Sequence, residues 1–464
     1  MNAAVVVVGA GIGGLSVAHE LAVRRKIADV VVVDERPPLT LTSDKSTECY
    51  RNWWPGPEAV AAPMMALVDR SVDLLEELAG ETDNAFALNR NGYAYLTARS
   101  DGARAFAEQA KATADLGGGA LRVHGEGGGE PFPEPVYDRL PARDGPGGAD
   151  LVTDPARILK RFPFLAPDVT AMLIPRRCGW LSAQQLGMIL LERFREAGGR
   201  LVRGQVAGVE REGERVTGVR LNGGLDSIAA STVVLAAGPL LPPLLADLGV
   251  ELPLVNELHG KVTFDDYLGV VPRHLPLMIW NDPVRLEWSD DERRELAADP
   301  DLSWLLEELP AGVHFRPEGG EGSSRLLLLW AFSTHAIKPA TVPEIPPRFD
   351  DVYPQVVLRG VARMAPAMKA YLERGRKPFV DGGYYLKTPE NRPLIGPLPV
   401  EGAYVLGALS GFGIMVSQGA AELLAAHLTG DTLPSHAPSF SPERFSDPAF
   451  LARLPELSGS AGEL

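Results

Sequence analysis

The sequence predicts an α/β fold, with a parallel-sheet domain beside a second domain that carries a large antiparallel or mixed sheet. Three observations predict it. The stretch VVVVGAGIGG at residues 5–14 joins a β-branched run to Gly9, Gly11 and Gly14. A second valine run, VVVVDER, ends in Asp34, Glu35 and Arg36, with Asp34 twenty residues beyond Gly14. The length of 464 residues exceeds what one compact core holds, so about two domains of ~150–250 residues are expected.

Taken in chain order, residues 4–8 read as a buried parallel strand, short and unbroken by polar residues. Residues 14–25 read as a helix with Leu15, Ala18, Leu21 and Ala22 on one face. VVVVD at 30–34 is the next strand, completing a βαβ unit with the glycines at its first turn. Residues 58–80 carry a helical apolar pattern through Met64, Leu67, Val68, Val72 and Leu75. Residues 117–150 are dense in Gly and Pro and predict an irregular excursion. The run at 182–197 predicts an amphipathic helix that Ser182 caps and Gly198-Gly199 ends. Residues 200–224 read as strands joined by turns, and 231–238 as a buried strand ending on glycine. Strand-like runs recur over 252–335, notably KVTFDDYL and RLLLLWAF. The last regular unit, 403–430, reads as strand, glycine turn and helix to about His427. These elements divide as 1–80, 151–250 and 380–431 in the first domain, and 81–150 with 251–379 in the second. Residues 432–464, rich in Ser, Pro and charge, are expected to dock loosely if at all.

Composition narrows the functional classes. The chain is 45% hydrophobic and 23% charged, ordinary for a globular protein. Its net charge of −15 disfavours a nucleic-acid partner. Cys49 and Cys178 form no CxxC pair, and the scattered histidines form no HExxH-like pair, so no metal is assigned. The N-terminus lacks a cationic start and Gly9 to Gly14 interrupt its apolar run, so no signal peptide is expected. No stretch offers about 18 uninterrupted apolar residues for a membrane span. A cytoplasmic setting is the simplest expectation.

The glycines point to a ligand. A helix N-terminus offers unpaired N–H groups and partial positive charge, but a pyrophosphate reaches them only where side chains are absent. Gly9 permits the tight turn, Gly11 the phosphate approach, and Gly14 the packing of helix on strand; Ile12 and Gly13 complete the turn. Asp34 falls where an acid accepts hydrogen bonds from a ribose, which disfavours a 2′-phosphate there and therefore NADP. Downstream, LTSDKSTECYRNWWPGP (41–57) supplies Thr42, Ser43, Ser46 and Thr47. QVAGVEREGERVTGVRL leads to VVLAAGP with Ala237 and Gly238, and NRPLIGPLP (391–399) precedes GALSGFGIM (407–415).

In this order the pieces resemble the FAD-dependent amine oxidoreductases that include D-amino acid oxidase, glycine oxidase and sarcosine oxidase. The resemblance covers most of the chain and is weakest over 100–150 and 270–320. It implies a Rossmann-like FAD domain beside a substrate domain whose large sheet covers the flavin. It implies that Gly411, Phe412, Gly413, Ile414 and Met415 run along the flavin edge, that the Val206 backbone meets the adenine, and that Glu35 and Arg36 contact the cofactor, Arg36 on its phosphate or ribose side. Where some relatives attach flavin to a cysteine, the matching position is Gly383, so noncovalent FAD is expected. Met415 stands where sarcosine oxidases carry a carboxylate-holding lysine. The stretch 326–335 lacks the lysine that favours reaction with oxygen, and Lys261 and Lys338 are the nearest replacements. The electron acceptor, oxygen or another, stays open.

The implied activity is oxidation of a C–H beside the nitrogen of an amino acid or N-alkyl amine, by hydride transfer to flavin. The imine formed then hydrolyses. Arg51 is the candidate carboxylate partner, because a guanidinium binds a carboxylate through two parallel hydrogen bonds. His259 is a candidate proton acceptor, and Trp330 and Tyr385 are candidate pocket walls. The competing readings are a flavin monooxygenase or halogenase, a non-catalytic flavin- or NAD-binding subunit, and an amine oxidoreductase acting on a biosynthetic intermediate. LSGFGIM lacks the late Gly-Asp pair usual in monooxygenases.

Overall fold

The structure is a computed structural model that describes residues 1–125, 147–222, 227–320, 322–332, 336–337, 344–374 and 377–458. Residues 126–146 of the expected Gly/Pro-rich excursion, and Lys338, lie outside the described residues.

Among the described residues, both valine runs enter one six-stranded sheet, ordered Leu394–Pro397, Ala403–Gly407, Thr232–Leu235, Val5–Val8, Val30–Asp34 and Arg200–Arg203. Every pairing is parallel except that of the outer Leu394–Pro397 strand. Val5 to Val8 register with Thr232 to Leu235 on one side and Val30 to Val33 on the other. Layers cover both faces, so the whole run is buried and reads as continuous valine rather than as an alternation.

The first helix differs from its expected one-sided pattern. Ile12–His19 is buried on every side, because it sits between the sheet, the Ala183–Glu196 helix and the Gly413–Thr429 helix. It ends in a widened turn, Glu20–Arg24, where the Arg25 N–H donates to the Glu20 carbonyl at 2.9 Å. The Glu58–Glu81 helix accommodates Pro63 within it. Proline has no N–H for the carbonyl four residues back, that of Ala59, and the Arg392 guanidinium donates to that oxygen at 3.1 Å instead. Ser182 caps Ala183–Glu196 by accepting from the Gln185 N–H at 3.3 Å, and Gly430, at φ 71°, ends the last long helix.

Among the described residues, a ten-stranded mixed sheet forms the second layer. Its long strand Val255–Asp265 pairs with Phe379–Lys387 and with Arg325–Leu329. His314–Pro317, Leu277–Trp280, Tyr93–Thr97 and Ala171–Pro175 follow outward. Pairing is parallel between Leu277–Trp280 and Tyr93–Thr97, and antiparallel across the other neighbours named here. Ala171–Pro175 and residues 380–387, expected with the first domain, thus belong to this sheet. Short buried strands read alike in both sheets, so the apolar pattern does not reveal which sheet they join.

A two-stranded ribbon, Cys49–Arg51 with Cys178–Trp180, sets Arg51 opposite Cys178. The segment after residue 432 docks more firmly than its composition implies. Phe440 is fully buried and its carbonyl accepts from the Ile395 N–H at 2.9 Å. The buried Arg444 pairs with the buried Glu390 at 2.8 Å. Among the described residues, no helix is long and apolar enough to cross a membrane.

Candidate active site

A cavity of about 600 Å³ opens where the strands Val5–Val8 and Val30–Asp34 end. Gly9, Gly11, Ile12 and Gly13 form one wall, and Asp34, Glu35 and Arg36 a second. Thr42, Ser43, Ser46, Val206, Ala237, Gly238, Tyr385, Gly411, Gly413 and Ile414 line the remainder. Pieces far apart in sequence therefore meet around one space.

The glycines of the first turn act differently from one another. Gly9 sits at φ +111°, and a Cβ there would fall 2.4 Å from the Ala236 carbonyl oxygen. Gly14 does not line the cavity; a Cβ on it would fall 1.9 Å from the Gly9 carbonyl oxygen, so its role is close packing. Gly11 is extended at φ −72°, ψ 179°, and a Cβ would meet only Ser43 Oγ, at 3.2 Å. The same Ser43 hydroxyl accepts from the Ile12 N–H at 3.0 Å, at the start of the helix. Asp34 ties this turn to the second strand: Oδ2 accepts from the Ala10 N–H at 2.6 Å and Oδ1 from the Arg36 N–H at 2.8 Å. Burial raises the Asp34 pKa, and the two N–H donors restrain the rise. Arg36 Nε lies 3.3 Å from Glu35. Helix-end amides, a turn free of side chains, the hydroxyls of Thr42, Ser43 and Ser46 and an acid are the donors and acceptors that a pyrophosphate and a ribose require, so this cavity fits FAD.

A smaller cavity of about 100 Å³ adjoins the first and shares Ser46, Tyr385, Gly411 and Ile414 with it. Thr47, Arg51, His259, Trp330, Phe412 and Met415 line it as well. Arg51 is 2% exposed; its Nη1 donates to Tyr95 Oη at 3.0 Å. Its guanidinium lies over Trp54 and Tyr93, at 5.5 and 5.9 Å from the ring centroids. Tyr385 stacks on His259 with centroids 4.1 Å apart. Trp330 is anchored by Nε1 donating to the Pro310 carbonyl at 3.0 Å.

Lys261 lines neither cavity. Its ammonium donates to the Asp44 carbonyl at 2.6 Å, and burial lowers its pKa. Three residues at this site escape the sequence reading: Tyr93, Tyr95 and His314. Tyr93 and His314 line the small cavity, and Tyr95 fixes Arg51. Their strands carry an ordinary core pattern, so only the tertiary pairing reveals them.

Comparisons with known proteins agree with this geometry. A family model described as FAD dependent oxidoreductase matches residues 4–427. L-proline dehydrogenase from P. horikoshii superposes with a TM-score of 0.69 at 20% identity, over 96% of this chain and 98% of that one. Glycine oxidase from Geobacillus kaustophilus gives 0.69 at 18% identity, over 96% and 99%. Iminodiacetate oxidase from Chelativorans sp. BNC1 gives 0.67 at 18%, over 94% and 98%. No curated protein matches at the level of sequence. With the glycine turn, the long cavity and a family match over nearly the whole length, the chain belongs to the FAD-dependent oxidoreductase family.

Proposed function

We propose that the protein oxidises the C–H adjacent to the amine nitrogen of a small amino acid or N-alkyl amino acid, passing the electrons to noncovalent FAD and then to oxygen or another acceptor. The observation that carries this reading is Arg51, a buried guanidinium in a small cavity that opens onto the cofactor cavity through four shared residues. Among the structural neighbours are an L-proline dehydrogenase, a glycine oxidase and an iminodiacetate oxidase, each named for an amine that bears a carboxylate.

On this reading Gly11, Ile12 and Ser43 hold the pyrophosphate, Asp34 the ribose and the 411–415 turn the flavin edge. Bound FAD supplies the two-electron acceptor. The chain's own residues do the rest. Arg51 binds the carboxylate and orients the substrate carbon. Tyr385 and Trp330 wall the pocket and exclude water. The buried aromatic surround strengthens the ion pair between Arg51 and the carboxylate. Gly383, where some relatives carry the flavin-linking cysteine, packs against Thr42 and Lys45, and a Cβ there would already meet Lys45 Cβ at 3.1 Å. This supports noncovalent binding.

An anaerobic titration with primary, N-methyl and cyclic amino acids and with plain amines tests the proposal. Bleaching of the oxidised flavin band by a carboxylate-bearing amine is the expected result, and admitting oxygen afterwards separates oxidase from dehydrogenase. A band that only plain amines bleach would refute the role of Arg51, and a band that none bleaches would refute amine oxidation.

A further inference from the structure

Among the described residues, two imidazoles line the small cavity, and their surroundings make them chemically distinct. His259 Nε2 lies 3.4 Å from Glu257, a carboxylate that Lys387 also contacts. A carboxylate neighbour accepts, so that nitrogen of His259 carries a hydrogen.

His314 is set up in the opposite sense. It lies in the large sheet, between Arg325–Leu329 and Leu277–Trp280, and is 7% exposed. Its Nδ1 lies 2.8 Å from the Gly312 carbonyl oxygen. A carbonyl only accepts, so Nδ1 holds the hydrogen and the neutral ring presents Nε2 as a bare lone pair. The ring stays neutral at physiological pH. Burial pushes its pKa down to about 4, the Gly312 bond opposes this, and the charges of Arg51 and His259 add to the depression. Among the described residues, Nε2 makes no hydrogen bond to the protein. Among the described residues, the lining of this cavity therefore includes a buried cation, Arg51, and a buried acceptor, Nε2 of His314.

We propose that His314 Nε2 accepts a hydrogen bond from the substrate's amine N–H while Arg51 takes its carboxylate, so that the site selects compact amino acids with at least one hydrogen on nitrogen. This rests on the function proposed above. A substrate without an N–H leaves the acceptor buried and unpaired, and sites built to bond an N–H reject analogues that lack it. A cavity of about 100 Å³ leaves little room beyond the two anchored groups, which matches a short or cyclic side chain.

The test uses the FAD-loaded protein and two flat acids of one shape, pyrrole-2-carboxylate and furan-2-carboxylate. One carries a ring N–H, the other a ring oxygen, and neither has a tetrahedral C–H to oxidise. Calorimetry is expected to show the pyrrole acid binding about tenfold or more tightly than the furan acid. In His314→Phe this preference disappears, with the furan acid's affinity unchanged and the flavin spectrum intact. His314→Gln, which can present an amide oxygen, keeps part of the preference and serves where the Phe variant does not fold. Equal binding of both acids by the unmodified protein overturns the role of His314 and leaves the carboxylate reading standing. A preference that persists in His314→Phe does the same. Binding of neither acid overturns both.

Discussion

Gly11→Ala separates cofactor binding from folding, because the structure gives this glycine no folding role. Its φ of −72° and ψ of 179° are open to alanine, and the new Cβ meets only Ser43 Oγ, at 3.2 Å, so a few tenths of an ångström of hydroxyl movement accommodates it. Stability of the flavin-free protein should therefore hold or rise by about 0.4–1 kcal/mol, since alanine restricts the unfolded chain. Binding of FAD should behave oppositely. The methyl group stands where the pyrophosphate approaches the helix-end amides, and each hydrogen bond to a charged group contributes about 1.5–3 kcal/mol. Weakening one or two of these costs about 3 kcal/mol, or roughly 150-fold in Kd. Quenching of flavin fluorescence on titration into flavin-free protein reads the first quantity, and urea unfolding of that protein reads the second. Gly14→Ala is the contrasting variant: its Cβ falls 1.9 Å from the Gly9 carbonyl and should unfold the domain. A wild-type FAD affinity in Gly11→Ala would show that the pyrophosphate does not lie on this turn, and destabilisation matching that of Gly14→Ala would show that Gly11 has a folding role after all.

Four further perturbations probe other parts of the structure. Arg51→Met should raise the Kd of carboxylate-bearing ligands about 100-fold, the equivalent of ~3 kcal/mol of charged hydrogen bonding, while FAD affinity holds; unchanged ligand binding by calorimetry sinks the assignment. Asp34→Ala removes the acceptor for the Ala10 and Arg36 N–H groups and should lower both FAD retention and the melting temperature; full flavin occupancy after gel filtration counts against the ribose role. Burial holds His19 near pKa 4, against 6.5 when unfolded, so below pH 6.5 the unfolded chain binds the extra proton and stability falls as pH drops. By pH 5 this amounts to about 2 kcal/mol, and His19→Leu should flatten the decline between pH 7 and 5; an unaltered slope in denaturant melts refutes it. Arg444→Met strands the buried Glu390 and should cost about 3–5 kcal/mol, whereas adding Glu390→Met should restore most of it, as urea melts of the two variants would reveal.

The sequence makes the first βαβ unit legible because its constraints are local. Two valine runs, a turn that tolerates no side chain and an acid at fixed spacing lie within about 30 residues. Helix ends are legible for the same reason: Ser182 and Gly430 act on their immediate neighbours. The small cavity is only partly legible. Arg51 stands out as a charge among aromatics, yet its hydroxyl partner, Tyr95, comes from a strand 44 residues away. His314 gives no signal, since its meaning depends on which nitrogen meets the Gly312 carbonyl and on which strands flank it. Asp34 was expected at a ribose, and its backbone bonds to Ala10 and Arg36 are visible only once the turn has folded. The tail after residue 432 misleads through composition, because one buried Phe440 and one buried ion pair outweigh its polar character.

The all-round burial of Ile12–His19 also bears on how the chain is made. That helix leaves the ribosome well before one of its covers, Gly413–Thr429, which ends 410 residues after His19. At roughly 5–20 residues per second, synthesis of that interval takes about 20–80 s. Throughout it an apolar, glycine-rich helix lacks one of its covers, and the 411–414 wall of the cofactor cavity does not yet exist. The nascent N-terminal unit is therefore a natural client for holdase chaperones, and flavin can be captured in full only after translation of the Gly413–Thr429 helix. A lesion near the C-terminus would accordingly show itself as aggregation of the N-terminal unit.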